Sequence, residues 1–219
     1  MPAESSASAA VRDARPHERP DQRRRVLLAA VDAFAERGAD GVRLKDISDR
    51  VGMSPGHILY YFGRKDRVLL ETLRWSENEL AEQRRVELAK FRSPWRAIER
   101  FVELYLPVSA LDPRWNLWAQ VSVRPPADVD DQRLIADLEG EWARDLADWV
   151  TRGIGSGAFS PPTSPPDADA FAQAFALRWV LLMNGSAEQV RLQVPGHDTR
   201  WARMYALHGM ASELGVTIT

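Results

Sequence analysis

Residues 43–70 read RLKDISDRVGMSPGHILYYFGRKDRVLL, and this stretch decides the fold. Leu44, Ile47, Ser48 and Val51 recur at i, i+3, i+4 and i+7, the spacing of one face of an amphipathic helix. Gly52 follows at once, where a helix that stops needs a residue free to take φ > 0. Ser54 then predicts an N-cap, because its hydroxyl can accept from a first-turn backbone N–H that has no other partner. Pro55 suits the next position, where a missing N–H costs nothing. A second short helix is expected from Pro55 to about Phe62, with Ile58 and Phe62 facing inward and His57, Tyr60 and Tyr61 making its surface. Helix, glycine turn and capped short helix is the layout of a helix-turn-helix, whose second helix enters the major groove of DNA.

Residues 51–73, VGMSPGHILYYFGRKDRVLLETL, resemble the signature of the TetR family of bacterial transcriptional regulators. The agreement rests on Gly52, Ser54, Gly56, the Tyr60-Tyr61-Phe62 run, and Lys65 with Asp66 opening a long helix. The resemblance extends over about Arg23 to Leu73. The chain departs from the pattern at Arg43, where many members carry a Thr cap, and across His57-Ile58-Leu59, which bears on the bases read and not on the fold. The resemblance implies a homodimer whose two heads sit in successive major grooves of a palindromic operator in double-stranded DNA. It also implies a body that senses a small-molecule effector and dimerises through its last two helices, most often in a repressor. The C-terminal body is most similar to the branch that includes choline- and betaine-related regulators.

The candidate DNA contacts follow from chemistry and from the matched motif: Arg43, Ser54, Gly56, His57, Tyr60, Tyr61 and Lys65. Arg43 opens a helix and is placed for a phosphate, and Lys65 adds an ammonium to the unpaired N–H groups of a helix N-terminus. Gly56 lets backbone approach closely where any side chain would obstruct. His57 can donate or accept at a base edge. The tyrosines offer a phenolic donor and a flat face for phosphate oxygens and thymine methyls, although a short helix that must bury one side is expected to turn at least one of them inward.

Outward from this stretch the chain reads as all-α. Residues 1–22 are expected to be a disordered basic arm, poor in large apolar residues and interrupted by Pro16 and Pro20, with arginines suited to phosphate or minor-groove contact. Residues 23–70 form a three-helix head: Val26, Leu27, Ala30, Val31 and Phe34 predict a first helix from Arg23 that stops at Gly38. Residues 71–219 are expected to form a larger helical domain, which the resemblance implies is the effector-binding and dimerisation domain. The helix opened by Lys65 is expected to run to about Phe91. Further helices are expected from Pro94, from Pro113, over about 127–154, from Asp167 to about Gln193, and over 199–214. Gly153 to Pro166 reads as loop. The run Gly153-Ile154-Gly155-Ser156-Gly157 lacks the preceding strand of a phosphate-binding loop.

Composition narrows the classes. The 219 residues contain no cysteine, which excludes disulfides and thiolate metal sites and fits a reducing cytoplasm. No run approaches the ~20 apolar residues of a membrane span, and the first 20 residues lack the apolar core of a secretory signal. Overall charge is −2, but residues 1–75 hold 14 Lys+Arg against 11 Asp+Glu while residues 76–219 hold 15 against 20. A basic head on an acidic body suits an electrostatic footprint confined to one end.

No catalytic constellation is visible. His17, His57, His197 and His208 are scattered without metal-ligand spacing, and the reading is of a protein that is not an enzyme and uses neither metal nor cofactor. Eight tryptophans are many for this length. Most are expected in the core, but two or three could line a cavity that holds a cation against ring faces. The effector-contact candidates are Trp115, Trp118, Trp142 and Trp179, with Glu103 and Asn184 as polar partners, and Asn184-Gly185 is expected to kink its helix. Two alternatives stay open: a DNA-binding regulator with no small-molecule effector, and a helical enzyme or carrier with a vestigial DNA-binding head.

Overall fold

A computed structural model describes residues 18–161 and 167–218. Residues 1–17, most of the expected basic arm, lie outside it, as do residues 162–166 of the expected loop. The described residues form helices α1 (Glu18–Gly41), α2 (Leu44–Val51), α3 (Pro55–Phe62), α4 (Lys65–Leu88) and α5 (Pro94–Tyr105), followed by α6 (Pro113–Ser122), α7 (Val129–Gly155), α8 (Ala168–Arg191) and α9 (Thr199–Leu214). No strand occurs among them.

Helix α1 starts at Glu18 rather than Arg23. Pro20 falls in its first turn, where a residue without an N–H breaks no helical hydrogen bond, so the proline that argued for an arm is compatible with helix. Gly38, with φ 68° and ψ 164°, breaks helical geometry where the sequence placed the stop. Gly52 caps α2 in the left-handed conformation, φ 68° and ψ 32°, and Ser54 caps α3 by accepting from His57 N–H at 3.2 Å. Arg43 lacks the hydroxyl of a conventional cap, and Asp46 substitutes by reaching back to accept from Arg43 N–H at 2.7 Å.

Two apolar cores result. The first joins Val26, Ala30 and Phe34 of α1, Ile47 and Val51 of α2, Ile58 and Phe62 of α3, and Val68, Leu69 and Leu73 of α4. Leu117 and Val121 of α6 and Leu138 of α7 close it, so the body contributes directly to the head's core. The second core lies among α5, α7, α8 and α9 around Phe101, Leu146, Phe175, Met183 and Met210. Helix α4 runs from one to the other: Leu69 and Leu73 belong to the first, Leu88 to the second.

Helix α7 continues through Gly153 to Gly155, beyond the expected loop boundary. Phe159 folds back against the helix, and a Cβ on Gly153 would lie 2.0 Å from its ring. Helix α8 is α-helical without interruption through Asn184-Gly185, so the expected kink is absent; neighbouring turns keep their hydrogen bonds and Gly185 needs no special backbone geometry.

Candidate functional site

The exposed side of α3 is built by its cap. With Ser54 and Pro55 fixing the first turn, Ile58 and Phe62 are buried and Tyr60 projects outward, 59% exposed. Gly56 lies on the open side, where a Cβ would find only Ser54 Oγ at 4.0 Å. Nothing among the described residues demands glycine there. Tyr61 is the tyrosine that turns inward: its hydroxyl donates to Gln22 Oε1 of α1 at 2.7 Å, and His57 stacks on its ring at 5.3 Å. Tyr61 therefore holds His57 in place rather than facing outward itself. Arg43 and Lys65 open α2 and α4, each half-buried or exposed at a helix N-terminus.

The second site is a cavity of about 190 Å³ between α5, α6, α7 and α8, lined by Tyr105, Arg114, Trp115, Trp118, Trp142 and Asn184 among others. Its organising group is Glu77, fully buried on α4. Glu77 Oε1 accepts from Arg114 Nε at 2.6 Å and from Trp118 Nε1 at 2.6 Å, while Oε2 accepts from Trp142 Nε1 at 2.8 Å. The carboxylate is thus saturated by one cation and two indoles, as a buried charge must be. Three rings form a box beside it: Tyr105 meets Trp142 edge-on at 4.8 Å and Trp115 at 5.7 Å. Burial pushes the Tyr105 phenol well above its ordinary pKa, so it stays a neutral donor, here to Asn184 Oδ1. Arg191 bonds Asn116 Oδ1 at 3.2 Å and pairs with Glu188 at 3.0 Å, and Glu139 stands exposed on the wall.

Trp115, Trp118, Trp142 and Asn184 therefore come together as expected from the sequence, and two of the candidates do not. Trp179 lies in the packing between α8 and α9, where Gly209 admits its ring; a Cβ there would sit 2.1 Å away. Glu103 points to α9 and pairs with Arg203 at 2.6 Å and Arg100 at 3.0 Å. Sequence reasoning missed Glu77, Tyr105 and Arg114. Glu77 left a signal: Leu69, Leu73, Glu77, Leu80, Arg84 and Leu88 step by 4, 4, 3, 4 and 4, so an acid and a base interrupt one apolar stripe of α4. Both are buried.

A helix-turn-helix head set on a helical body with an aromatic cavity defines a two-part, all-α protein of the helix-turn-helix class. Residues 26–72 match the family model described as bacterial regulatory proteins, tetR family. The transcriptional regulator RutR of Escherichia coli K12 is 28% identical over 138 residues, covering 60% of this chain and 63% of RutR. BetI of Brucella anthropi is 26% identical over 117 residues, covering 53% of this chain and 60% of BetI. The alignments thus span less than two thirds of either relative. A transcriptional regulator from Saccharomonospora viridis, solved in complex with choline, superposes with a TM-score of 0.73 at 28% identity, over 88% of this chain and 96% of that one. A TetR-family regulator from a Rhodococcus species shares the fold with a TM-score of 0.68 at 19% identity, over 89% and 99%. The head of the chain thus matches the tetR family model, and the chain as a whole is similar in sequence to RutR and BetI and in fold to the Saccharomonospora regulator.

Proposed function

We propose that the protein is a homodimeric, sequence-specific transcriptional regulator that binds a palindromic operator and is released from it by a small cationic effector. The observation that carries the DNA-binding reading is the outer face of α3, where a capped helix presents Gly56, His57 and Tyr60, with Gly56 in open space and Tyr60 59% exposed with one edge against Tyr61. Lys65 and Arg43 flank this face at helix N-termini, positions that favour phosphate oxygens. Dimerisation is supported by Leu177 and Leu181 of α8 and Met204 and Tyr205 of α9, all exposed on the helices that pack together at the far end of the body. Such apolar exposure on one helix pair marks an interaction surface. Two heads would then address half-sites about 34–36 Å apart, one helical turn of DNA.

The effector reading rests on the cavity. Aromatic faces beside a buried carboxylate stabilise a compact organic cation, and the Saccharomonospora relative was solved with choline. Release follows if the effector binds more tightly to a conformation whose heads no longer match the groove spacing.

Fluorescence anisotropy of the purified protein with DNA upstream of its own gene and neighbouring genes, at two salt concentrations with excess random competitor, tests the DNA reading. Competitor-resistant binding of two protomers per site is expected, weakened at least tenfold by Tyr60→Ala without loss of thermal stability. If every fragment is lost to competitor and a random-library selection also returns no site, the reading is wrong.

A further inference from the structure

The aromatic box is not waiting empty, because a cation of the chain itself lies against it. The Arg114 guanidinium is centred 4.7 Å from the Trp142 ring, 5.1 Å from Trp115 and 5.5 Å from Tyr105. Its Nε donates to Glu77 and its other arm to Tyr105 O at 2.8 Å. Three ring faces and one buried carboxylate are the recognition elements an ammonium ligand would use, and Arg114 engages all four. The remaining charges favour a cation over an anion as the visitor. Arg191 is paired with Glu188, so once Arg114 leaves, the lining keeps Glu139 and no other arginine free to answer it, and Glu77 behind the rings loses its one cation.

Arg114 is also mechanically placed. It is the second residue of α6, whose N-terminus Asp112 caps at 3.0 Å and 3.2 Å through Arg114 and Trp115 N–H. Two turns on, α6 grips the head: Gln120 accepts from Ala39 N–H and donates to Phe34 O at 3.3 Å, and Arg124 pairs with Asp40 at 2.5 Å. The bonds from Arg114 and Trp118 to Glu77 thus latch α6, which holds the end of α1, to α4, which carries the head, and Arg114 supplies the charged half of that latch.

We propose that Arg114 is a tethered internal occupant of the cation box, so that a cationic effector binds by displacing it from Glu77 and the rings, unlatching α6 from α4. This deepens the effector reading above and rests on it. The internal cation sets the affinity threshold, since any visitor must outcompete a group already at high local concentration. It also selects against anions and neutral ligands, which gain nothing from the rings and the carboxylate that Arg114 gives up.

The test is a tryptophan-fluorescence titration of the full chain with tetramethylammonium chloride at constant ionic strength, comparing wild type with Arg114→Met and Arg114→Lys. Methionine keeps the apolar stem and removes the competitor, leaving Glu77 with its two indole donors and no cation. Arg114→Met should bind at least about tenfold more tightly, a difference of roughly 1.4 kcal/mol, and Arg114→Lys should stay near wild type. If wild type binds saturably and a cooperatively melting Arg114→Met binds no tighter, the internal-occupant proposal is overturned while the cation cavity stands. If none of the three proteins binds, both fall. Hydrogen exchange on wild type supplies a readout that needs no variant: peptides covering residues 108–119 should exchange faster at saturating probe, and slower exchange there would overturn the unlatching.

Discussion

Glu71 and Glu77 are both buried on α4, yet they are satisfied by different kinds of partner. Around Glu71 stand three arginines, Arg23 of α1 at 3.0 Å and Arg67 and Arg74 of α4 at 2.9 and 2.5 Å. Arg67 also reaches Asp131 at the start of α7, as does Arg64, so this end of α4 is a charge network tying head to body. Its arginines keep between about a quarter and two fifths of their side-chain surface in water. Glu77, by contrast, has one arginine and two indole N–H groups, all in or against the second site. One carboxylate is a rivet with redundant, hydrated partners; the other depends on a single replaceable cation. The same residue type thus makes a fixed joint at one position and, on the proposed reading, part of an effector site at the other, by a change in what surrounds it.

The largest expected effect comes from breaking the less redundant cluster. Glu77→Ala strands the Arg114 charge and two buried indole donors, and removing one partner of a buried pair costs about 3–5 kcal/mol. Urea unfolding should show that loss as a shifted midpoint. A loss below ~1 kcal/mol would mean that water enters and replaces the carboxylate. Glu71→Ala should cost less, about 1–2 kcal/mol by the same measurement, because its three arginines can turn to solvent and exposed pairs contribute ~1 kcal/mol or less each. If the two substitutions cost the same, the contrast between rivet and sensor fails.

The same contrast explains what could be read from the sequence. The head was legible because its information is local: an amphipathic octet, a glycine, a Ser-Pro cap and an aromatic run specify two helices and the turn between them within 20 residues. The inward turn of one tyrosine followed from the need of a short helix to bury a side. The cavity was only partly legible. Trp115, Trp118 and Trp142 were recognisable as aromatics of the helical body, but what separates them from Trp179 is Gly209 on another helix, which admits the Trp179 ring to ordinary packing. Glu103 looked like a lone acid among apolar neighbours, and its partner Arg203 is a hundred residues away. Glu77 was the polar residue to choose, since it interrupts an apolar stripe that Glu103 merely borders.

The smallest effect isolates the rivet's other carboxylate through its titration. Burial alone would raise the pKa of Asp131, but hydrogen bonds from Arg67 and Ala127 N–H, with the charge and hydrogen bond of Arg64, hold it below the ordinary carboxylate value. A folded pKa below the unfolded one, about 3.9, means the charged form stabilises the native state above that pH. The contribution disappears as pH falls through the folded value, because the unfolded chain then binds the proton first. Asp131→Asn removes the charge but keeps an acceptor near Ala127 N–H, so it should cost only about 1 kcal/mol at neutral pH. In thermal melts the gap between wild type and Asp131→Asn should be constant from pH 7 to about 5 and close below about 4. Taking the difference cancels the other carboxylates, such as Asp46 and Glu82, whose pKa values are also lowered by hydrogen bonds to neighbouring groups. A gap that persists into strong acid would show that Asp131 holds α7 through its capped first turn and not through its charge, and the polar ties between head and body would then be left to Gln120 and Arg124.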